Sequence, residues 1–270
     1  MIVVGLKARA TQSIAVVEME GPIGPRIKAN EYVKLFRSLE DNDHVRAVVL
    51  DIDSPGGSAT GSSYMYLAAK SLAAKKPVVS FISGIGASGA YMLAAPTTRI
   101  VAIPGALIGS IGVISMRPLV YEAMERIGLK MHVTKSDRLK DMGSIFREPT
   151  AEEQEKEQEL VEDLYDQFLE AVADGRGMEK ARVKEVATGE VYSARRCTDL
   201  GLVDELGDLQ RAIDIAAELG NAPRKPVWMK PKRTLREVIT GMTATSLVDA
   251  VAARFEERLY ASRYDIQHRL

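Results

Sequence analysis

Two glycine-rich turns in this chain carry the residue types that acyl-transfer chemistry requires. The first, Asp51-Ile-Asp-Ser-Pro-Gly-Gly-Ser58, ends an apolar run and opens a stretch with helical spacing. Gly56 and Gly57 admit a tight turn with outward-pointing N–H groups, and a following helix N-terminus adds positive potential. Such a cradle binds phosphate or stabilises a developing oxyanion. It lacks the Gly-Lys-Ser/Thr ending of a P-loop and the spacing of a dinucleotide fingerprint, and alone it is equally an ordinary strand-to-helix turn. The second turn, Gly84-Ile-Gly-Ala-Ser-Gly-Ala-Tyr91, sets Ser88 among small neighbours, where a substrate carbonyl could approach its hydroxyl. It is not Gly-x-Ser-x-Gly, so the α/β-hydrolase elbow does not apply, and a helix N-cap is the competing reading of Ser88. Taken together, with Ser88 31 residues beyond Gly57, the turns form two sides of an oxyanion hole around one nucleophile.

A serine hydroxyl needs a base to become a nucleophile. His44, His132 and His268 are scattered and make no recognisable triad. They also have no cysteine or carboxylate at metal-ligand spacing, so no metal is expected, and acyl transfer to a serine requires no cofactor. Lysine is the alternative base. Lys140 lies in the segment from Lys135 to Glu148, between a predicted strand and a capped helix, though one lysine among 36 basic residues is by composition a solvated side chain.

The elements that must position these residues follow from periodicity. Ser13–Met19 and Arg46–Asp53 are apolar runs rich in Val and Ile that read as buried strands. Helical spacing covers Asn30–Leu39 and Ala59–Ala74, with a strand at Pro77–Ile82, a helix from Ser88 to Ala95 and a strand at Arg99–Ile103. The alternation argues for a parallel sheet with right-handed crossovers. Further strands are predicted at Ile111–Ser115 and Lys130–Thr134, around a helix at Pro118–Ile127. Thr150 and Glu153 make a capping box for a long helix with Val161, Leu164, Tyr165, Phe168, Leu169 and Val172 on one face, stopped at Asp174-Gly-Arg-Gly. After two more helical stretches, Gly220–Pro231 reads as a linker, and Thr234–Ser262 is amphipathic.

Several of these segments together resemble the signal peptide peptidases of the SppA type. The resemblance rests on Asp53-Ser-Pro-Gly-Gly, Gly86-Ala-Ser-Gly-Ala-Tyr, Ile108-Gly-Ser-Ile-Gly-Val, Lys140-Asp-Met-Gly-Ser-Ile-Phe-Arg-Glu and Gly201-Leu-Val-Asp-Glu-Leu-Gly207, in that order, over roughly Ser13–Ala217. It implies an α/β fold of the Clp-protease/crotonase kind, with repeated ββα and βαβ units, a parallel sheet core and additional C-terminal helices. It also implies a serine protease working with a Ser–Lys dyad, in which Ser88 is the nucleophile and Lys140, 52 residues on, the general base. Ser110 would orient the lysine, and the Gly57 and Gly89 amides would form the oxyanion hole. Lys140 must be neutral to take the proton, which burial favours. Ala90-Tyr91-Met92 stands where the family prefers Gly-Tyr-Tyr, and Ile145 replaces a usual proline, departures that touch the substrate cleft more than the dyad.

The same reading implies peptide substrates, such as signal peptide remnants or unfolded segments, and a ring-like homo-oligomer. A Clp/crotonase-like protease domain is expected over 13–219, a linker over 220–233 and a helical segment for oligomerisation over 234–270. Uncharged Ile85, Ala87, Met92, Ile111 and Val113 flank the two serines, and either line an apolar substrate cleft or belong to the core. The alternatives are the membrane-bound, stomatin-specific peptidase of the Clp class and a crotonase-type acyl-CoA enzyme, which would want carboxylates in place of Ser88 and Lys140. An inactive scaffold would not need Ser88, Lys140 and Ser110.

Composition sets outer bounds. A net charge of −1 gives no long-range field for nucleic acid or an anionic membrane. The acidic run at Glu152–Glu159 and the basic stretch at Arg224–Arg236 read as a solvated helix face and a polar linker. The single cysteine, Cys197, allows no intramolecular disulfide and reads as a small buried thiol. The apolar start is too short for a signal-peptide core or a membrane span. The expectation is a polypeptide soluble as given, in a family that is membrane-associated; the natural protein either lacks that anchor, and is then cytoplasmic, or carries it outside this sequence.

Overall fold

The computed structural model describes residues 12–231. Strand β1 (Ser13–Glu20) and β2 (Val45–Ser54) are joined by helix α1 (Ala29–Glu40); α2 (Ala59–Lys75) leads to β3 (Val78–Ala87), α3 (Gly89–Ala94), β4 (Arg99–Ala102) and β5 (Leu107–Gly109). Then come α4 (Tyr121–Arg126), α5 (Ala151–Arg176), α6 (Lys180–Val186), β6 (Val191–Ser193), α7 (Ala194–Asp199), β7 (Glu205–Leu206), α8 (Leu209–Leu219) and β8 (Pro226–Met229). The sheet runs β6-β5-β3-β2-β1-β8, with β4 and β7 branching from β3. Every pairing is parallel except β5 with β6.

The continuous apolar runs of β1 and β2 have a physical cause: both faces of these strands are covered. Ala15, Val17, Met19, Val48, Leu50 and Ile52 pack on one side with Phe36 of α1 and Met65 and Leu72 of α2. Ile14, Val16, Ala47 and Val49 pack on the other against Ala212, Ile213 and Ala216 of α8. Removing any one of the Val, Leu, Ile, Met or Phe side chains among these from water is worth about 1.5–3 kcal/mol. Cys197 is buried, and burial pushes its thiol up to about 12, so it remains protonated.

Three stretches differ from the sequence expectation. Ile111–Ser115 is no strand; the strand falls earlier, at β5, because Leu107, Ile108 and Gly109 are the residues in register with Ile85, Gly86 and Ala87 of β3. Gly109 and Ser110 then take positive φ, 107° and 48°, which turns the chain out of the sheet. Lys130–Thr134 lies in the exposed arm that follows and pairs with no strand, while the helix expected over Pro118–Ile127 shrinks to α4. Pro226–Met229, inside the stretch read as a linker, pairs with Ile14–Val17 as an edge strand with proline at its first position, where a missing N–H is tolerated. The amphipathic segment Thr234–Ser262 lies outside the described residues.

The arm, residues 112–150, exposes Ile114, Met116, Leu119, Ile127, Leu129, Met131, Val133, Met142 and Phe146. It is tied to the beginning of α5. Thr150 caps that helix in the reciprocal box foreseen, accepting from the Glu153 amide while the Glu153 carboxylate accepts from the Thr150 amide. Of the predicted apolar face of α5, Phe168, Leu169 and Val172 are buried, whereas Val161 and Leu164 are only half-buried and Leu160 is exposed. The first half of α5 therefore stands off the core. Among the described residues no helix is long and apolar enough to cross a membrane.

Candidate active site

Ser88 sits between the end of β3 and the start of α3 with φ 51° and ψ −126°. A side chain bearing a Cβ occupies that region at a cost of about 1–3 kcal/mol, and strain of this kind marks sites where the surrounding fold dictates geometry. Two contacts impose it here: the Ser88 amide donates to the Gly109 carbonyl (2.8 Å), and the Ser88 carbonyl accepts from the Tyr91 and Met92 amides. Ser88 is the residue before α3, yet its side chain makes no capping hydrogen bond. The N-cap reading of its hydroxyl is thereby removed. The side chain is half-buried and its oxygen is left available for chemistry.

The two glycine turns meet. A Cβ placed on Gly56 would lie 2.7 Å from the Gly89 nitrogen, 2.8 Å from the Ala87 oxygen and 2.9 Å from the Ser88 Cβ, so only a glycine can occupy this position beside the serine. Gly56 has φ +89°; its own amide is held by the Ser54 hydroxyl (3.2 Å). Gly57, with φ +145°, presses against Ile23, whose carbonyl accepts from the Ser58 amide while its own amide donates to Gly56. This leaves the Gly57 and Gly89 amides with no hydrogen bond to the backbone among the described residues. Gly89 in turn has no room for a side chain, since a Cβ there would fall 1.9 Å from Ser62 Oγ, which is held by the Ser58 carbonyl. The sequence reading missed Ser54 and Ser62; both are buried small polar residues, and only the fold shows what they support.

Ser110 is the next residue after Gly109, which is the β3 partner of Ala87, so register sets Ser110 beside Ser88. Its φ is 48° and its amide donates to the Glu190 carbonyl (2.6 Å). Of the apolar residues flanking the serines, Ala87, Met92 and Ile111 are buried, the last two within the main core, whereas Ile85 and Val113 are half-exposed. Ile85 and Val113 are thus the two of these side chains that solvent reaches.

Among the described residues, Lys140 makes no polar side-chain contact with this cluster. It is exposed, and its amine makes no hydrogen bond or ion pair with another described residue. Its loop is anchored to the first turn of α5 through Arg147–Glu153 and Arg138–Glu152. The opposite end of α5 packs on α3: a Cβ on Gly175 would lie 2.5 Å from the Ala95 carbonyl carbon. From Glu153 to Gly175 the helix rises about 33 Å at 1.5 Å per residue. The loop that carries the lysine is thus fixed at one end of this rod and the end of α3 packs at the other, and the described residues do not supply the burial expected for Lys140.

No group of three or more His, Cys, Asp or Glu among the described residues is placed to hold a metal ion.

Comparison with known proteins gives the family. The family model described as "Peptidase family S49" matches residues 70–222. A relative from Methanocaldococcus jannaschii is 37% identical over 193 residues, 72% of this chain and 62% of that one. The chloroplastic serine protease SPPA of Arabidopsis thaliana is 32% identical over 243 residues, 87% of this chain and 36% of its own. The chain thus spans under two thirds of the archaeal relative and about a third of the plant one. The solved structure of a membrane-bound stomatin-specific protease, carrying a serine-to-alanine substitution, superposes with a TM-score of 0.52 at 14% identity, over 82% of this chain and 99% of that one, a likeness of fold.

Proposed function

The chain belongs to peptidase family S49, and on that premise we propose that it is a serine endopeptidase in which Ser88 attacks the scissile carbonyl and Lys140 is the general base. The observation that carries the reading is the Ser88 turn. A strained serine with its hydroxyl uncommitted lies against a second glycine turn, next to two amides that have no backbone partner.

The chemistry follows from that arrangement. A neutral lysine amine removes the Ser88 proton as Oγ bonds to the substrate carbonyl carbon. The carbonyl oxygen becomes an oxyanion and accepts from the Gly57 and Gly89 amides, which need no reorganisation at that moment; one such donor is worth about 3–4 kcal/mol of barrier. Collapse of the tetrahedral intermediate releases the amine, which takes the proton back from the lysine and leaves an acyl-Ser88 ester. Water, deprotonated by the same lysine, then hydrolyses that ester. Ser110, beside Ser88, orients the amine. Substrates are extended, apolar peptides such as cleaved signal peptides, paired to exposed main chain as an added strand, with Ile85 and Val113 at the side-chain positions.

The working form is a homo-oligomer. An arm with nine large exposed apolar side chains exceeds what a monomer usually shows to water. A second copy covering it would also desolvate Lys140, which the described part of one chain leaves exposed, and supply it to the neighbouring Ser88. Mixing inactive Ser88→Ala with inactive Lys140→Ala tests this. Recovery of hydrolysis on mixing is the expected result. A wild-type protein that sediments as a 29.5 kDa monomer while fully active overturns it.

A further inference from the structure

The loop that carries Lys140 contains an ionic chain that the dyad chemistry does not by itself require. The Lys135 ammonium contacts Asp141 Oδ1 at 2.5 Å, and Arg147 Nε donates to Asp141 Oδ2 at 2.9 Å, so each carboxylate oxygen faces a cation. The other side of the Arg147 guanidinium grips both oxygens of Glu153, which is 1% exposed and also receives the Thr150 amide at the start of α5. Charges alternate along this path from Lys135 to Glu153 and end on a helix N-terminus, where an anion is favoured. Of the other charged groups nearby, Glu152 of α5 is held by Arg138 through Nε and Nη2, Glu157 of α5 by Arg117, and the loop's own Asp137 lies 3.7 Å from Arg138. Lys140 is the residue before Asp141, and its amide closes a turn on the Asp137 carbonyl.

Among the described residues the Lys140 amine therefore has no carboxylate partner, although a carboxylate is its immediate neighbour in sequence. For a base this matters. An anion within about 4–6 Å holds an ammonium in its protonated form. We infer that Arg147 is a positioning residue: with Lys135 it saturates Asp141 and fixes the loop on α5, which keeps the neighbouring Lys140 amine unpaired and free to accept the Ser88 proton. This rests on the reading of Lys140 as the base. It adds a reason for an arginine and an aspartate at these places. The low positions of the two carboxyls agree with it: Asp141 is held well below the usual carboxylate range by Arg147 and Lys135, and Glu153 is lowered to about 2 by Arg147 and the Thr150 amide.

The test is the pH dependence of kcat/KM on an apolar peptide, with sedimentation run alongside. Arg147→Ala frees one side of Asp141 for Lys140, and the rising limb of the profile should move about one pH unit to the alkaline side. Arg147→Lys, which keeps a cation by Asp141, should leave the limb near its wild-type position. Adding Asp141→Asn to Arg147→Ala removes the competing anion and should bring the limb back even if the rate stays low. A merely structural role would lower the rate without moving the limb. Lys135→Ala, which uncovers the other oxygen, should shift the limb in the same direction and serves if Arg147→Ala fails to assemble. A limb unmoved in an assembled Arg147→Ala or Lys135→Ala protein overturns the inference while leaving the dyad intact. Wild-type turnover in Lys140→Ala would overturn the base assignment, and this inference with it.

Discussion

Replacing Gly56 by alanine adds one carbon and should silence the enzyme. The new Cβ would meet the Gly89 nitrogen at 2.7 Å, the Ala87 oxygen at 2.8 Å and the Ser88 Cβ at 2.9 Å. None of these is the far end of a flexible side chain, so the two glycine turns must move apart. The φ of +89° adds about 1–2 kcal/mol of backbone strain for a residue with a Cβ, and overpacking adds about 1–3 kcal/mol. Stability should therefore fall by about 2–5 kcal/mol, read as a lower urea midpoint. The displaced group is the Gly89 amide itself. Losing one oxyanion donor costs about 10²–10³ in kcat, so activity should drop at least that far even at temperatures where the variant is folded. Gly105→Ala is the control, because a Cβ there has nothing within 4 Å. It should stay within about 0.5 kcal/mol of the parent and remain active. A Gly56→Ala protein hydrolysing peptide within twofold of the parent would refute the placement of the two turns around one reaction centre.

Lys140→Ala should abolish hydrolysis with the fold retained by circular dichroism, and Lys140→Arg should not rescue it, because a guanidinium keeps its proton at working pH. Acid should loosen the arm before the core. The folded carboxyls of Asp141 and Glu153 lie below their ordinary values, so their contribution is full above about pH 4.5 and is lost as pH falls towards 2; arm-selective cleavage by an acid protease, rising over that window, is the readout. In a peptide library varied at the residue before the cut, Leu and Ala should outrank Lys, Arg and Asp, since a cleft presenting Ile85 and Val113 gains about 25 cal/mol per Å² of apolar surface and penalises charge.

Local signals made much of the fold readable. The buried runs of β1 and β2, the spacing of α1 and α2 and the Thr150–Glu153 box all act within a few residues, and each formed where the pattern placed it. What stayed hidden depends on partners distant in sequence. Leu107–Gly109 is a strand because β3 lies beside it, while the equally apolar Ile111–Ser115 has no strand to pair with. Pro226–Met229 is punctuated like a linker and becomes a strand only through β1. At the site, Ser88 and the glycines could be singled out by type and spacing. The closeness of Gly56 to Gly89, the strained φ of Ser88 and the buried Ser62 beneath Gly89 could not, because contacts across turns leave no periodic trace. Lys140 is singled out by resemblance alone, and its exposure goes with the half of α5 that stands off the core.

The claim on which the rest depends is that Ser88 is the nucleophile. It is tested most directly by treating the protein with a serine-reactive fluorophosphonate and locating the adduct by mass spectrometry of the digested chain. The account predicts a single stoichiometric adduct on the peptide containing Ser88, loss of hydrolysis in step with labelling, and neither adduct nor hydrolysis in a folded Ser88→Ala variant. Hydrolysis that survives in Ser88→Ala, or an inactivating adduct on another residue, would contradict it.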